Sequence, residues 1–322
     1  MFSAFRRKDN GNGPKFERNQ KLVASMKLAG HQMYTNEQIA LGPLIGTGGF
    51  AKVYHCKVDG ETAAVCKVIN AEKVDEEAAY LLTNECTIWS KLAHPNIVRF
   101  HGMSFTSSAI LLVCEFMPEG SLLDAHEVAR KEQRSMLTLS VLLARIEQIA
   151  SGMAHLHSWE PPILHRDLKS ANILLDGERL AIADFGLARY QECHKKMTAE
   201  TGSYRWMAPE VIRHEMYDWR CDVYSFGVLV WEMVSYRVPF EELTPVQAAF
   251  AVAKEAKRPP IPRGCPPSIS HMVDQCWSQD AAHRPSFTKI QEKIEEEMAQ
   301  LRVSASGESH VDAPAADRVE AG

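Results

Sequence analysis

His165-Arg166-Asp167-Leu168-Lys169-Ser170-Ala171-Asn172 is followed by Asp184-Phe185-Gly186 and then by Ala208-Pro209-Glu210. Taken singly, such residues say little, because charged side chains are ordinarily solvated and an aspartate near a glycine ordinarily turns the chain. Their fixed order between helical segments says more. Upstream, Leu139, Leu142, Leu143, Ile146, Ile149, Ala150, Met153 and Leu156 recur at helical spacing, which predicts an amphipathic helix over 139–157 with its stripe inward. Downstream, the run from Val223 to Val234 is apolar on nearly every side, interrupted by Ser225 and Glu232, and predicts a helix buried inside a larger lobe.

The part before these helices is strand-rich. Residues 39–69, IALGPLIGTGGFAKVYHCKVDGETAAVCKVI, hold three short β-prone runs, the second and third joined by Asp59-Gly60, a tight-hairpin signal. A helical segment is expected around Glu85, then strands from Asn96 to Phe105 and from Ala109 to Phe116. The loop Ile45-Gly46-Thr47-Gly48-Gly49-Phe50-Ala51-Lys52-Val53 lies between two of the strands, where glycine backbone can approach a phosphate that side chains would exclude. By itself such a loop is more often a plain turn. It does not open a helix, which disfavours a dinucleotide site, and it lacks the Gly-Lys-Ser/Thr ending of a P-loop.

Composition sets the outer limits. With 322 residues, 45% hydrophobic and 24% charged, the chain can bury a sizeable core in about two lobes. A net charge of -5 argues against coating nucleic acid. Charge is uneven, since residues 1–36 carry seven basic side chains against Asp9 and Glu17, so a flexible basic leader of about +5 precedes an acidic remainder. Such a leader is expected to be solvated, with weak attraction to acidic membrane surfaces as the alternative. Residues 298–322, rich in Ala, Ser and acidic residues, are expected to form a disordered tail. The eight cysteines form no C-x-x-C pair and read as scattered core thiols in a reducing compartment. Without an apolar stretch of about 18 residues or a signal h-region, the expected location is cytoplasmic, with no membrane span.

The ordered motifs, with Lys67 in Ala64-Val65-Cys66-Lys67, resemble the eukaryotic protein kinases from about Glu37 to Glu297, a motif set whose roles serve as a standard worked case. GSYRWMAPE, CWSQDAAHRPSF and HRDLKSAN look most like the tyrosine-kinase-like group, similar to its mixed-lineage serine/threonine kinases. The resemblance implies a two-lobed α+β fold: a small antiparallel-sheet N-lobe with one helix (37–114), a hinge (115–120) and a larger, mainly helical C-lobe (121–297). It implies ATP and Mg²⁺ as cofactors and a protein substrate, with an upstream activating kinase as a further partner.

By the same resemblance, residues Ile45 to Val53 cover the phosphates, Lys67 contacts the α- and β-phosphates, and Glu85 pairs with Lys67. Asp184 and Asn172 ligate Mg²⁺. Asp167 orients the acceptor hydroxyl or takes its proton, and Lys169 stabilises the transferring group. Cys114 guards the adenine pocket, which Val53, Val65 and Leu174 flank, while backbone groups of Glu115 and Met117 bond its edge. Ser121 either lies near the ribose or simply caps a helix through Ser121-Leu122-Leu123-Asp124. Trp89 is expected to stack with Phe100, Phe185 and His165, Asp222 to anchor the catalytic loop, and Glu210 to pair with Arg284.

Departures from the pattern are few. Ala51 stands for the usual third glycine, Val65 for the usual alanine against adenine and Ser203 for the usual threonine, so altered ATP affinity is expected rather than loss. A pseudokinase scaffold ordinarily lacks Lys67, Asp167 or Asp184, and all three are present. Tyrosine kinases usually lack a lysine at the place of Lys169 and often have proline at that of Ser203, which favours serine and threonine as acceptors, with tyrosine or dual specificity as the alternative. Thr198, and then Thr201, are the expected activating phosphorylation sites, with Arg166 to receive the phosphate.

Overall fold

The computed structural model describes residues 32–47, 51–60, 62–191 and 203–308. Gly48, Gly49 and Phe50 of the glycine loop, Thr198, Thr201 and Gly202, most of the leader and the last residues of the tail lie outside the described residues.

Strands β1 (Ile39–Thr47), β2 (Ala51–Val58), β3 (Thr62–Asn70), β4 (Phe100–Phe105) and β5 (Ala109–Glu115) form an antiparallel sheet in the order β1-β2-β3-β5-β4. The β2–β3 turn starts at the expected dipeptide, where Asp59 and Gly60 take positive φ of 52° and 80°. Glycine does so freely and aspartate more readily than most residues, so the strands can reverse tightly there. Helix α1 (Glu76–Trp89) packs on one face of the sheet, with Leu82 and Cys86 against Ile110, Leu112 and Met103. Ala109, Leu111 and Val113 pack on the other face with Ile39, Cys56 and Cys66. Burial on both faces is why β5 reads as an unbroken apolar run rather than an alternation.

The larger lobe holds α2 (Leu122–Lys131), α3 (Leu139–His157), α4 (Pro209–Ile212), α5 (Arg220–Ser235), α6 (Pro245–Glu255), α7 (Pro267–Cys276) and α8 (Phe287–Glu308). Two small ribbons join it: β6 (Ile163–Leu164) pairs with β9 (Arg189–Tyr190), and β7 (Ile173–Asp176) with β8 (Arg179–Ile182). The expected stripe of α3 is buried apart from the partly buried Leu139 at its start, and every α5 residue from Cys221 to Val234 is buried. The main core therefore forms around α3 and α5.

Three expectations are revised. Residues 96–99 are not part of β4; the Val98 N–H donates to the Ile182 carbonyl and the Ile182 N–H to that of Asn96, both at 2.9 Å, so the segment joins β8 in the other lobe. Apolar pattern marks such a segment as strand-like but does not name its partner. The tail expected from Met298 begins as helix, because α8 continues to Glu308 with Met298 and Leu301 packed on the core after Ile290 and Ile294. The leader's end is ordered as well: the Tyr34 N–H donates to the Met103 carbonyl at 2.8 Å and the Met103 N–H to that of Gln32 at 3.0 Å, occupying the outer edge of β4. Cys56, Cys66, Cys86, Cys114, Cys221 and Cys276 are buried free thiols, as expected of core cysteines.

The approach of α3 to residue 96 sets a packing limit. A Cβ at Gly152 would lie 2.8 Å from the Asn96 carbonyl oxygen and 2.8 Å from Ile182 Cδ1. Gly152→Ala is expected to force this junction apart and cost about 1–3 kcal/mol. A lowered urea midpoint with an unchanged m-value would show it, and an unchanged midpoint would contradict it.

Candidate active site

The site forms where the sheet meets the helical lobe. Alternation along β3 puts Val65, Lys67 and Ile69 on the face shared with Cys114, Leu112 and Ile110 of β5. Lys67 Nζ lies 3.4 Å from Glu85 Oε1 on α1 and 3.6 Å from Asp184 Oδ1. Burial opposes the Lys67 ammonium, but Glu85 and Asp184 more than offset it, so its pKa is raised and the side chain stays charged. Burial likewise opposes ionisation of Asp184; Lys67, then His165 and the Gly186 N–H, outweigh it and hold that carboxyl below the usual range. A cation between two carboxylates is thus locked in place by charge.

Packing aligns this cluster with the loop that starts at His165. Trp89 at the end of α1 lies 5.1 Å from Phe100 and 5.9 Å from Phe185 between ring centroids, and Phe185 lies 5.3 Å from His165. The column expected from the sequence is therefore formed, and Trp89 adds a 2.6 Å bond from Nε1 to the Val98 carbonyl. Indole fills the extra volume and satisfies its own N–H.

The loop from His165 is held from below by Asp222, near the start of α5. Its Oδ2 accepts from the His165 N–H and its Oδ1 from the Arg166 N–H, both at 2.8 Å, and His157 Nε2 lies 3.0 Å from Oδ2. Burial would raise the Asp222 carboxyl, yet the His157 bond and charge, His165 and the Arg166 N–H hold it below its usual value. These bonds fix a backbone in which Arg166 has φ of 68°, while Asp184 has 64°. Left-handed backbone at such residues is strained by about 1–3 kcal/mol and persists where surrounding bonds over-determine it.

At the loop's centre, Lys169 Nζ donates to both Asp167 oxygens, at 2.9 and 2.7 Å, and to Ser203 Oγ at 2.8 Å. Asn172 Nδ2 donates to the Asp167 carbonyl at 2.8 Å and to its Oδ2 at 2.9 Å. Ser203 thus reaches Asp167 through Lys169. On the other side of the cleft, Val65 and Leu174 pack against the core that contains Cys114 and Met117. Val53 pairs across the sheet with both Gly46 and Lys67. Among the remaining loop positions, Ile45 is exposed, Thr47 pairs with Lys52 and Ala51 packs in the core of the smaller lobe. Ser121 bridges Leu174 and forms the capping box with Asp124, whose N–H donates to Ser121 Oγ at 3.2 Å. Glu210 and Arg284 make the expected pair, with bonds of 2.6 and 2.9 Å.

Two connections were missed in the sequence. Glu115 at the hinge accepts at 3.0 Å from Arg179, a partner from β8 that no local pattern reveals. Glu232, fully enclosed in α5, accepts at 3.1 Å from the Ser170 N–H, at 2.7 Å from Ser170 Oγ and at 2.8 Å from Trp206 Nε1. A carboxylate set in the apolar run from Val223 to Val234 was the signal, since buried charges need partners.

Burial lifts the Glu232 carboxyl to about 7, against the opposing bonds from Ser170 and Trp206 and the charge of Lys169. The folded value lies above the model-peptide value of 4.5, so the folded state binds more protons between the two and this group costs stability as pH rises through that window. In Glu232→Gln the amide oxygen can take the Ser170 and Trp206 N–H bonds while its NH₂ donates to Ser170 Oγ. The variant is expected to exceed the wild type in stability by roughly 1–3 kcal/mol near pH 8, with the gap closing toward pH 5. Thermal melts at the two pH values check this, and a gap that does not change with pH counts against it.

Residues 39–294 match the family described as protein tyrosine and serine/threonine kinase. The chain is similar to serine/threonine-protein kinase STY46 of Arabidopsis thaliana, 36% identical over 261 residues that cover 81% of this chain and 44% of that protein. It is also similar to serine/threonine/tyrosine-protein kinase HT1 of the same organism, 35% identical over 258 residues, 79% of this chain and 65% of the relative. Probable serine/threonine-protein kinase drkA of Dictyostelium discoideum is 35% identical over 259 residues, covering 80% of this chain and 39% of its own. The chain thus spans less than two thirds of the length of each of these relatives.

Proposed function

Because the chain belongs to the protein tyrosine and serine/threonine kinase family, we propose that it transfers the γ-phosphoryl group of ATP to serine and threonine hydroxyls of protein substrates. The observation that carries this reading is the Asp167–Lys169–Ser203 chain, formed beside the Lys67–Glu85–Asp184 cluster. Phosphoryl transfer offers a protein little covalent work, so it depends on positioned phosphates, neutralised charge and an aligned hydroxyl. Lys67, held by Glu85, neutralises the α- and β-phosphates. Adenine lies between Val53 and Val65 on one side and Leu174 on the other, at the backbone of Glu115 and Met117. Ser121, already engaged in its cap, offers the ribose a second acceptor.

Asp184 and Asn172 present a carboxylate and an amide oxygen, hard donors that suit Mg²⁺, which supplies charge neutralisation between phosphate oxygens when bound. Asp167 accepts the proton of the acceptor hydroxyl as its oxygen bonds to phosphorus and the bond to ADP breaks. Lys169 supports the charge on the transferred group.

The Lys169–Ser203 bond supports serine and threonine as acceptors, because a lysine beside Asp167 suits a hydroxyl held close to its backbone. Dual specificity is the second reading, favoured by the printed name of HT1, which includes tyrosine. Incubating the purified chain with Mg-ATP and matched Ser, Thr and Tyr peptides, with mass spectrometry of the products, tests both. No phosphorylation overturns the kinase reading, and a preference for Tyr overturns the acceptor class. We place the protein in the cytoplasm, a reading that the buried free thiols support. An upstream kinase acting at Thr198 or Thr201 would order the loop through Arg166. On that reading Thr198→Ala combined with Thr201→Ala is expected to lose activation, and unchanged activity would remove these sites as the switch.

A further inference from the structure

Asp167, Lys169 and Ser203 form one side of a cavity of about 460 Å³. The rest of its lining is Ser170, whose hydroxyl is bonded to Glu232, and the apolar side chains of Leu123, Ala171, Trp206 and Val238. The charges lining it, Asp167 and Lys169, are paired with each other at 2.7 Å. The Glu232 carboxylate lies behind the wall, but it is 1% exposed and its oxygens are taken up by Ser170 and Trp206.

We infer that this cavity takes an aliphatic side chain flanking the acceptor hydroxyl and rejects a basic one, an inference that rests on the kinase reading of the site. The Asp167 carboxylate marks where the hydroxyl must lie, so a neighbouring side chain of the same peptide falls against the apolar walls. An aliphatic group there loses water against Leu123, Trp206 and Val238 and gains contact. A guanidinium or ammonium in the same space would leave water with no unspent carboxylate to meet it among the described residues that line it, which disfavours it strongly. Sequestration of Glu232 is what decides the sign. Were that carboxylate turned into the cavity, a basic residue would be favoured instead.

The test is a serine peptide library, with leucine or arginine at each flanking position, phosphorylated by the full chain with Mg-ATP. At one flanking position or more, kcat/KM for leucine is expected to exceed that for arginine by roughly tenfold or more. Ala171→Glu, which adds a carboxylate to the wall, is expected to move that ratio toward arginine, and Val238→Glu is the second variant should the first fold poorly. The ratio is the readout because a loss of folded protein lowers both rates equally. No preference or a preference for arginine in the wild type, or a leucine preference unchanged by both variants, overturns the inference while leaving the kinase reading standing. No phosphorylation of any peptide overturns both.

Discussion

Asp167→Asn and Lys67→Met are each expected to lower phosphate transfer by at least about 10²–10³-fold while the protein remains folded. The two act on different halves of the site. Asp167 carries the carboxylate that Lys169 and Asn172 hold in place and that, in the proposed reading, meets the acceptor hydroxyl; asparagine keeps its size while removing its basicity and charge. Lys67 is the cation between Glu85 and Asp184, and methionine keeps much of its apolar stem while removing the charge that, in the proposed reading, meets the phosphates. Neither replacement opens a cavity in the apolar core. Initial rates with a serine peptide, read beside the thermal midpoint, separate catalysis from folding. Activity near wild type in both variants would sink the mechanism, and a large drop in midpoint would show that the pairs serve mainly to hold the lobes together.

Arg284→Ala is expected to destabilise the larger lobe by about 3–5 kcal/mol, because it leaves Glu210 as a buried carboxylate without its cation. The Arg284 side chain has no exposure; it makes bonds of 2.6 and 2.9 Å to the two Glu210 oxygens and donates to the carbonyls of Ser278 and Arg220 at 3.0 Å each. Its guanidinium also lies 5.2 Å from the Tyr224 ring. One truncation therefore leaves a buried charge unpaired, removes a donor from two carbonyls and takes one of two cations from the Tyr224 ring. A fall of roughly 5–20 °C in thermal midpoint is the corresponding readout. The double variant Arg284→Met with Glu210→Leu is expected to recover much of the loss, since an apolar pair of similar volume removes the stranded charge. Failure of the single variant to lower the midpoint would mean that water reaches Glu210.

Legibility in the sequence followed the range of the interaction. The α3 stripe and the apolar α5 run were readable because a helix brings residues three and four apart onto one face. Asp59-Gly60 was readable because a turn is decided by its own dihedral angles. The extension of α8 past Glu297 is carried by Ile290, Ile294, Met298 and Leu301 at helical period, a signal masked by the acidic, alanine-rich composition around them. Residues 96–99 read as strand without naming their partner, because the Ile182 carbonyl that takes the Val98 N–H lies far along the chain.

The sequence by itself determined the family, the α+β class and the identities of the groups at the site, since motif order and local periodicity are properties of neighbours along the chain. Tertiary structure decided which charges meet and which are spent: Lys67 between Glu85 and Asp184, Ser203 joined to Asp167 through Lys169, and Glu232 turned toward Ser170 and Trp206. A carboxylate in a helix carries the same letters whether it faces a cavity or the back of a loop. Its partners come from segments tens of residues away, and only the folded geometry, through burial and hydrogen-bond distance, settles whether its charge is free to act on a ligand.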